Sequence, residues 1–288
     1  MSKSEPLVII PSYQQPELLR GCVNSVLSSL PARIAILDDS RDSSILNSMA
    51  AIRQIRKGSM VDYIEPMEEH KRINHISSWN RYQELVRGKQ GKHLSYINLR
   101  HHDDHLLPRD SQDITDDFAD PSAAALVIHP IMVPSLRIGK LQLLRYHCPP
   151  PLQRLLLQHL PLRLLLLFNY IGPTACVWIR QDLALNAPLF DEQLRWLVDV
   201  AWYYGLVRVC RRSEIRVSAK ALNQSVSNPK SITAKLNPQI TAIEHQERLW
   251  IAKTVPLPAW LFAMAALLRP LNRGLSWLWL KPQWHHGA

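Results

Sequence analysis

Residues 34–39 read IAILDD and residues 94–104 read LSYINLRHHDD, so two apolar runs each end in a pair of aspartates. Short apolar runs of this kind recur through the first half of the chain, at 7–10, 34–37, 61–64, 94–99 and 124–128. Each has the length and composition of a buried strand. The runs are spaced widely enough for a helix between them, a pattern that predicts an α/β fold with a parallel, doubly wound sheet.

Helical periodicity fills two of the intervals between these runs. Leu19, Cys22, Val23 and Val26 follow Pro16 at helical spacing, and proline suits the first turn of a helix. A second helix is predicted over 74–87. Ligands in such folds bind beyond the carboxyl ends of the strands, where both aspartate pairs would lie.

The aspartate pairs call for a chemical explanation because two neighbouring carboxylates repel each other unless a cation or hydrogen-bond donors compensate. A hard divalent cation would satisfy them and would also neutralise a bound diphosphate. One alternative for Asp38, Asp39 and Ser40 is helix capping, which needs only one of them. A zinc site at the histidines is not expected, since no cysteine or ordered histidine spacing accompanies them.

Four blocks of sequence occur in a fixed order: LVIIPSYQQPELLRGCVNSVLSS (7–29), IAILDDSRDSS (34–44), NHISSWNRYQELVRGKQGKHLSYINLRHHDDHLLP (74–108) and FDEQLRWLVDVAWYYGL (190–206). Together they resemble the family 2 glycosyltransferases of the GT-A fold. The resemblance covers roughly residues 6–208. It implies a mostly parallel central sheet flanked by helices, an inverting transfer from a nucleotide-diphosphate sugar, and a bacterial type of enzyme in surface polysaccharide or glycolipid synthesis.

The resemblance also implies roles for single residues. Asp199 falls on the catalytic base that deprotonates the acceptor hydroxyl. Asp103 and Asp104 fall on the end of the Asp-x-Asp motif that holds Mn²⁺ or Mg²⁺. The nucleotide-sugar contacts carried over are Pro11, Tyr13, Gln14, Asp38, Asp39, Asn80, Arg81 and Asp103.

The chain departs from the family pattern at several positions. His101 stands where the first aspartate of Asp-x-Asp is usual, and Gln14 replaces the usual asparagine. The segment HQERLW (245–250) matches the Gln-x-x-Arg-Trp motif of processive members only in part, so a single transfer per binding event is expected. A catalytically inactive protein that still binds sugar nucleotides is the alternative.

The net charge of +10 is concentrated in the last third of the chain, because residues 200–288 carry 12 Lys/Arg and three Asp/Glu. Such a tail could bind nucleic acid, an anionic membrane or a phosphorylated substrate. No nucleic-acid recognition module is present, so nucleic acid is not expected. Tryptophans beside leucines and basic residues in 255–284 favour a segment lying on a membrane surface, with an ordinary packed core as the alternative.

The leucine-rich stretch 149–168 is interrupted by charged and polar residues, which makes a membrane span unlikely to form. A buried helix pair and an amphipathic membrane-facing element are the two interpretations. We expect a nucleotide-sugar-binding half over 1–129, an acceptor-binding half over 130–220, and a basic, tryptophan-rich, helical extension over 221–288. The four well-separated cysteines and the lack of a signal-peptide pattern favour the cytoplasm, with attachment to the inner membrane face and a glycan or lipid-linked acceptor.

Overall fold

The computed structural model describes residues 5–13, 15–40, 61–64, 75–88, 94–107, 118, 124–138, 141–167, 169–226, 240–255, 260 and 280–284. In these ranges the strands are β1 (Glu5–Ser12), β2 (Arg33–Asp38), β3 (Val61–Ile64), β4 (Leu94–Leu99), β5 (Asp104–Leu106), β6 (Leu126–Ile128), β7 (Ile131–Ile138), β8 (Leu141–Tyr146), β9 (Val177–Arg180), β10 (Ile215–Val217), β11 (Asn223–Ser225) and β12 (Leu280–Trp284). The α-helices are α1 (Pro16–Ser29), α2 (His75–Asn80), α3 (Tyr82–Gly88), α4 (Pro150–His159), α5 (Gln181–Asn186), α6 (Val198–Val209) and α7 (Ile240–Thr254).

The central sheet has seven strands in the order β10-β6-β9-β4-β1-β2-β3. Strand β1 pairs in parallel with both β2 and β4, and β2 pairs in parallel with β3. Strand β9 is antiparallel to both β4 and β6, and β10 is parallel to β6. The sheet is therefore mostly parallel with helices packed against it, and the predicted fold class is confirmed.

Both faces of the sheet are buried, as the continuous apolar strands require. Along β1, Leu7 and Ile9 belong to the larger core cluster, and Val8 and Ile10 belong to a second cluster that includes the buried face of α1. Neighbouring residues of a strand point to opposite faces, so β1 separates two core layers.

Strand β9 was not predicted from the sequence, and β6 begins at Leu126, two residues later than the predicted strand. The residues of β9, VWIR, form a short apolar run directly before a short helix, so nothing local marks it as antiparallel. A second sheet of five strands, in the order β12-β8-β7-β11-β5, lies beside the carboxyl end of β4 because β5 follows β4 after four residues.

The leucine-rich stretch forms α4 and a short 3-10 helix, Leu162–Leu166. Leu156, Leu157, Leu165 and Leu166 are buried in the larger core cluster, so this stretch packs as protein interior. At the far end of the chain, β12 pairs antiparallel with β8. Within the described ranges, no helix is both long enough and apolar enough to cross a membrane.

Candidate active site

The carboxyl ends of β1, β2 and β4 form one edge of the central sheet. The backbone N–H of Asp39 donates to the carbonyl of Ser12 (3.0 Å), and the N–H of Arg100 donates to the carbonyl of Ile9 (2.9 Å). The Nδ1 atom of His102 lies 3.5 Å from the carbonyl oxygen of Pro11. The residues that follow β2 and β4 are therefore brought together around the end of β1.

The first aspartate pair is buried, with Asp38 at 0% and Asp39 at 3% exposure. One Asp38 oxygen accepts hydrogen bonds from the backbone N–H of Ser40 (3.1 Å) and from its hydroxyl (2.6 Å). Asp38 thus closes the turn after β2, a role that aspartate commonly takes. Tyr13 is 45% exposed on the same edge, and Gln14 lies outside the described residues.

The second pair lies in the turn between β4 and β5, and its two carboxyls differ. Asp103 is partly exposed, whereas Asp104 is 4% exposed. Burial, followed by the neighbouring charge of Asp103, raises the pKa of Asp104 to about 8, against the opposing effect of the buried Arg100 guanidinium. Asp103 is therefore the more accessible carboxylate of the pair.

Helix α1 packs against the turn between β4 and β5. The thiol of Cys22 donates to the carbonyl of Asp104 (3.4 Å), and Arg100 donates to the same carbonyl (3.1 Å). A Cβ atom on Gly21 would lie 2.9 Å from the ring of His105, which explains why the helix carries glycine where it meets β5.

Asp103 and Asp104 are the residues predicted to hold a divalent cation. Mg²⁺ and Mn²⁺ accept oxygen ligands, and in nucleotide sites one or two carboxylates are combined with phosphate oxygens and water. Asp103 meets this requirement, with Asp104 directly behind it. In the part of the chain that the structure describes, no group of three or more His, Cys, Asp or Glu side chains could hold a metal by itself. A cation held by Asp103 would take most of its ligands from substrate and water.

Asn80 makes three hydrogen bonds within the protein. Its amide group donates to the carbonyl of Phe190 (3.0 Å) and to Glu192 (3.0 Å), and its oxygen accepts the N–H of Phe190 (2.7 Å). These three bonds tie α2 to the segment that leads into α6. Direct contacts of Asn80 and Arg81 with the nucleotide remain predictions.

Asp199 lies in the first turn of α6. One carboxylate oxygen accepts the N–H of Val200 (2.8 Å), and the other accepts the side-chain amide of Asn169 (2.9 Å). The residue as a whole is partly exposed, although its carboxyl group is packed among neighbouring groups. These two bonds hold the carboxylate at a fixed orientation.

Burial among neighbouring groups raises the pKa of Asp199 to about 7, although hydrogen bonds from Val200 and Asn169 act in the opposite direction. The folded protein therefore binds this proton more tightly than the unfolded chain. Its contribution to stability is lost as the pH rises from the ordinary aspartate pKa of about 4 to about 7, and is constant above that. A base that titrates near neutral pH is suited to general-base catalysis.

The two acidic sites are close enough to affect the same buried groups. The pKa of the Cys176 thiol is raised by burial first and then by the charges of both Asp104 and Asp199. Tyr203 responds to the same two carboxyls. Asp104 and Asp199 therefore act electrostatically on the same two buried side chains, although 95 residues separate them in the sequence.

A small, open cleft lies at this edge, lined by Pro11, Trp79, His101, Thr174 and Phe190 among others. Trp79 meets His101 edge-on, with ring centroids 4.6 Å apart. His101, the residue that replaces the usual aspartate, is thus an aromatic neighbour in the wall of the cleft.

Solved structures with this architecture were found. The chain aligns with S. aureus TarS 1–349 at a TM-score of 0.51 and 15% identity, over 77% of this chain and 60% of that one. It aligns with mannosyltransferase PcManGT from Pyrobaculum calidifontis, solved with GDP-Man and Mn²⁺, at a TM-score of 0.54 and 12% identity, over 96% of this chain and 84% of that one. It also aligns with glucosyl-3-phosphoglycerate synthase from Mycobacterium tuberculosis, solved with Mn²⁺ and UDP-Glc. That alignment has a TM-score of 0.51 and 11% identity, and it covers 89% of this chain and 81% of that one.

The fold is that of the GT-A glycosyltransferases. No protein-family model matches the sequence. An uncharacterized protein of Mycobacterium tuberculosis, MT1568, is 28% identical over 223 residues, or 72% of this chain. The chain spans 64% of the length of that relative and 60% of the TarS chain.

Asn169 is a residue of the candidate site that sequence reasoning missed. Its side chain donates to Asp199 and to the carbonyl of Gly172 (2.8 Å), and accepts the N–H groups of Ile171 (3.1 Å) and Gly172 (2.8 Å). Gly172 has φ of +107°, which glycine adopts readily, and a Cβ there would lie 2.9 Å from the Cys176 sulfur. The spacing of Asn and Gly in NYIG (169–172) is a turn signal that could have indicated this loop.

Replacing Asn169 with aspartate is expected to shift the acidic limb of the pH–rate profile to higher pH. The variant keeps an acceptor oxygen for the turn, but it removes the donor to Asp199 and adds a like charge, and both changes raise the Asp199 pKa. The measurement is turnover between pH 5 and 9 for parent and Asn169→Asp. An unchanged acidic limb would contradict the contact between these side chains.

Proposed function

We propose that the chain is an inverting, non-processive glycosyltransferase that moves a sugar from a nucleotide-diphosphate sugar to an acceptor hydroxyl. The observation that supports the proposal is a set of contacts around Cys176. Asn98 of β4 donates to the carbonyls on both sides of Cys176. Gly172, which lies against the Cys176 sulfur, is held by Asn169, the residue that donates to Asp199. The reaction needs a base on the acceptor side and charge stabilisation on the diphosphate side, and Asp199 and the β4–β5 turn supply candidates for both.

The proposed chemistry begins with the acceptor hydroxyl bound beside Asp199. As its oxygen attacks the anomeric carbon, the proton passes to the free oxygen lone pairs of the Asp199 carboxylate. The bond from that carbon to the diphosphate breaks on the opposite face, so the anomeric configuration inverts. A donor-bound Mn²⁺ or Mg²⁺ held by Asp103 and Asp104 would neutralise charge on the departing diphosphate.

Binding of the donor is proposed at the edge formed by Pro11, Tyr13 and Asp39. Two solved neighbours of the same fold contain Mn²⁺ with GDP-Man or UDP-Glc, which supports a nucleotide-sugar donor and a divalent cation. A glycan or lipid-linked acceptor, presented at an anionic membrane surface, is proposed from the +9 charge of residues 200–288. Cytoplasmic location, on the inner face of the membrane, belongs to the same proposal.

A sugar-nucleotide-binding protein without transfer activity is the second candidate. Two observations favour it, namely histidine at position 101 and the burial of Asp104, which both reduce the negative charge presented to a metal. In this case the cleft would bind a nucleotide sugar without turning it over.

A two-step experiment tests the proposal. Thermal unfolding is first followed with UDP-, GDP- and dTDP-sugars, each with and without Mn²⁺, and stabilisation by one donor that requires the metal is expected. That donor is then incubated with candidate acceptors, and released nucleoside diphosphate is measured. Metal-dependent binding without any release would favour the second candidate, and no stabilisation by any donor would contradict both.

A further inference from the structure

Helix α7 supplies buried acidic side chains from the most basic part of the chain. Residues 200–288 contain three Asp/Glu, namely Glu214, Glu244 and Glu247. Glu244 and Glu247 are only 6% and 7% exposed. Burial of a carboxylate is costly unless it is paired or hydrogen-bonded, so the partners of these two residues show what they stabilise.

Glu247 accepts hydrogen bonds from three consecutive backbone N–H groups. One oxygen accepts from Arg195 (2.5 Å) and Trp196 (3.1 Å), and the other accepts from Trp196 (3.0 Å) and Leu197 (2.7 Å). Leu197 is the residue at the N-terminal boundary of α6 and has no side-chain group that could cap the helix. Glu247, 50 residues away in sequence, therefore fixes the backbone that leads directly into α6.

The helix that Glu247 holds is the one that carries Asp199 in its first turn. A displacement of the α6 N-terminus would move the Asp199 carboxylate with it. Reaction rates depend steeply on such placement, because a shift of ~1 Å can cost about a hundredfold.

The next residue of α7, Arg248, holds the backbone that precedes Asn169, the residue whose side chain donates to Asp199. Arg248 donates to the carbonyls of Leu166 and Leu167 and to the carboxylate of Glu244. The Leu167 carbonyl lies just before Asn169, whose side chain donates to Asp199. One turn of α7 thus holds the backbone that leads into α6 and the end of the 3-10 helix that precedes Asn169.

We propose that Glu247 is a positioning residue for the transfer reaction, acting on Asp199 through the start of α6 and through its own negative charge. The inference rests on the proposed function, in which Asp199 is the base. It assigns to the C-terminal extension a part in assembling the active site, in addition to any part in binding a surface.

The electrostatics around Asp199 agree with this assignment. Burial is the main cause of the raised pKa of Asp199, and the charge of Glu247 raises it further. Among the residues that the structure describes, Cys176 and Tyr203 also interact with the Asp199 carboxyl, and burial raises the pKa of both, so that both are neutral near pH 7. His147 contacts the Asn169 carbonyl (2.6 Å) rather than the carboxylate. Among these groups, Glu247 is the negative charge whose removal would lower the pKa of Asp199.

The test compares Glu247→Gln with Glu214→Gln in the full-length chain. Glu214 is a matched control, since its carboxylate accepts the N–H of Arg211 (3.1 Å) at the start of a different helical turn. In Glu247→Gln we expect the acidic limb of the kcat profile to move to lower pH. We also expect kcat at pH 8 to fall about tenfold to a hundredfold, with the donor KM changed little. Glu214→Gln is expected to keep the parental profile.

An acidic limb that stays at the parental pH in Glu247→Gln, or a loss confined to KM, would overturn the proposal. If Glu247→Gln does not fold, Glu247→Asp is measured in its place, since it keeps the charge but withdraws the oxygens by one methylene. That variant is expected to keep the parental limb with reduced kcat, and parental kcat would overturn the proposal.

A measurement of stability, which needs no transfer activity, distinguishes failure of this inference from failure of the proposed function. The stability of parent and Glu247→Gln is measured from pH 4 to pH 9, each against its own Asp199→Asn derivative, which isolates the titration of Asp199. A step that ends at lower pH in Glu247→Gln supports the coupling even if no donor is turned over. A step at the parental pH overturns it.

Discussion

Asp199→Asn is expected to lower turnover by about two to four orders of magnitude, the usual contribution of a general base. Asparagine keeps the size of the side chain and one acceptor oxygen, so Asn169 or Val200 can still donate to it. It cannot take a proton from the acceptor hydroxyl. Donor affinity is expected to change little, because the carboxylate acts on the acceptor side.

The matched control is Asp182→Asn. Asp182 also lies in the first turn of a helix, α5, where its carboxylate pairs with Arg180 (2.6 Å) and favours the helix dipole. Both variants lose a negative charge at a helix start, but only Asp199 lies at the site. The measurements are kcat and donor Kd for parent and both variants. Near-parental turnover in Asp199→Asn, or an equal loss in Asp182→Asn, would show that the base lies elsewhere.

The alternation of strands and helices was readable from the sequence because it depends on local patterns. The apolar runs of β1 to β4 and the periodicity of α1 each reflect burial of nearby residues against the sheet. Strand β9 was not readable, since its position between β4 and β6 depends on pairing with residues about 50 to 80 positions away. Short strands of this kind take their direction from tertiary contacts.

The site shows the same division. The aspartates that follow β2 and β4 could be placed at one edge of the sheet, because parallel strands present their carboxyl ends together. The residues that hold Asp199 and its helix in position could not be identified from the sequence. Asn169 comes from a loop and Glu247 from α7, and their contacts with α6 span 30 and 50 residues of sequence. Asn80 matched a motif, yet its described bonds hold Phe190 and Glu192.

The aspartates of the β4–β5 turn give the second large expected effect. Asp103→Ala is expected to weaken donor binding in the presence of Mn²⁺ by about tenfold to a hundredfold, comparable to loss of one charged hydrogen bond of ~1.5–3 kcal/mol. Asp103 is partly exposed and is the more accessible of the two carboxylates. Asp104→Ala is expected to abolish the metal-dependent part of binding as well, since it removes the carboxyl directly behind Asp103.

Calorimetry with and without Mn²⁺ separates the roles of these two carboxyls. Asp62→Ala is a suitable control, because Asp62 is exposed on β3, away from the turn. If Asp103 and Asp104 hold the cation, both variants should bind the donor without metal as the parent does and lose the increase that Mn²⁺ brings. If Asp104→Ala instead unfolds at lower temperature but keeps the full Mn²⁺ effect, its buried carboxyl supports the turn and Asp103 alone holds the metal. Equal Mn²⁺ effects in the parent and in both variants would rule out this turn as the metal site.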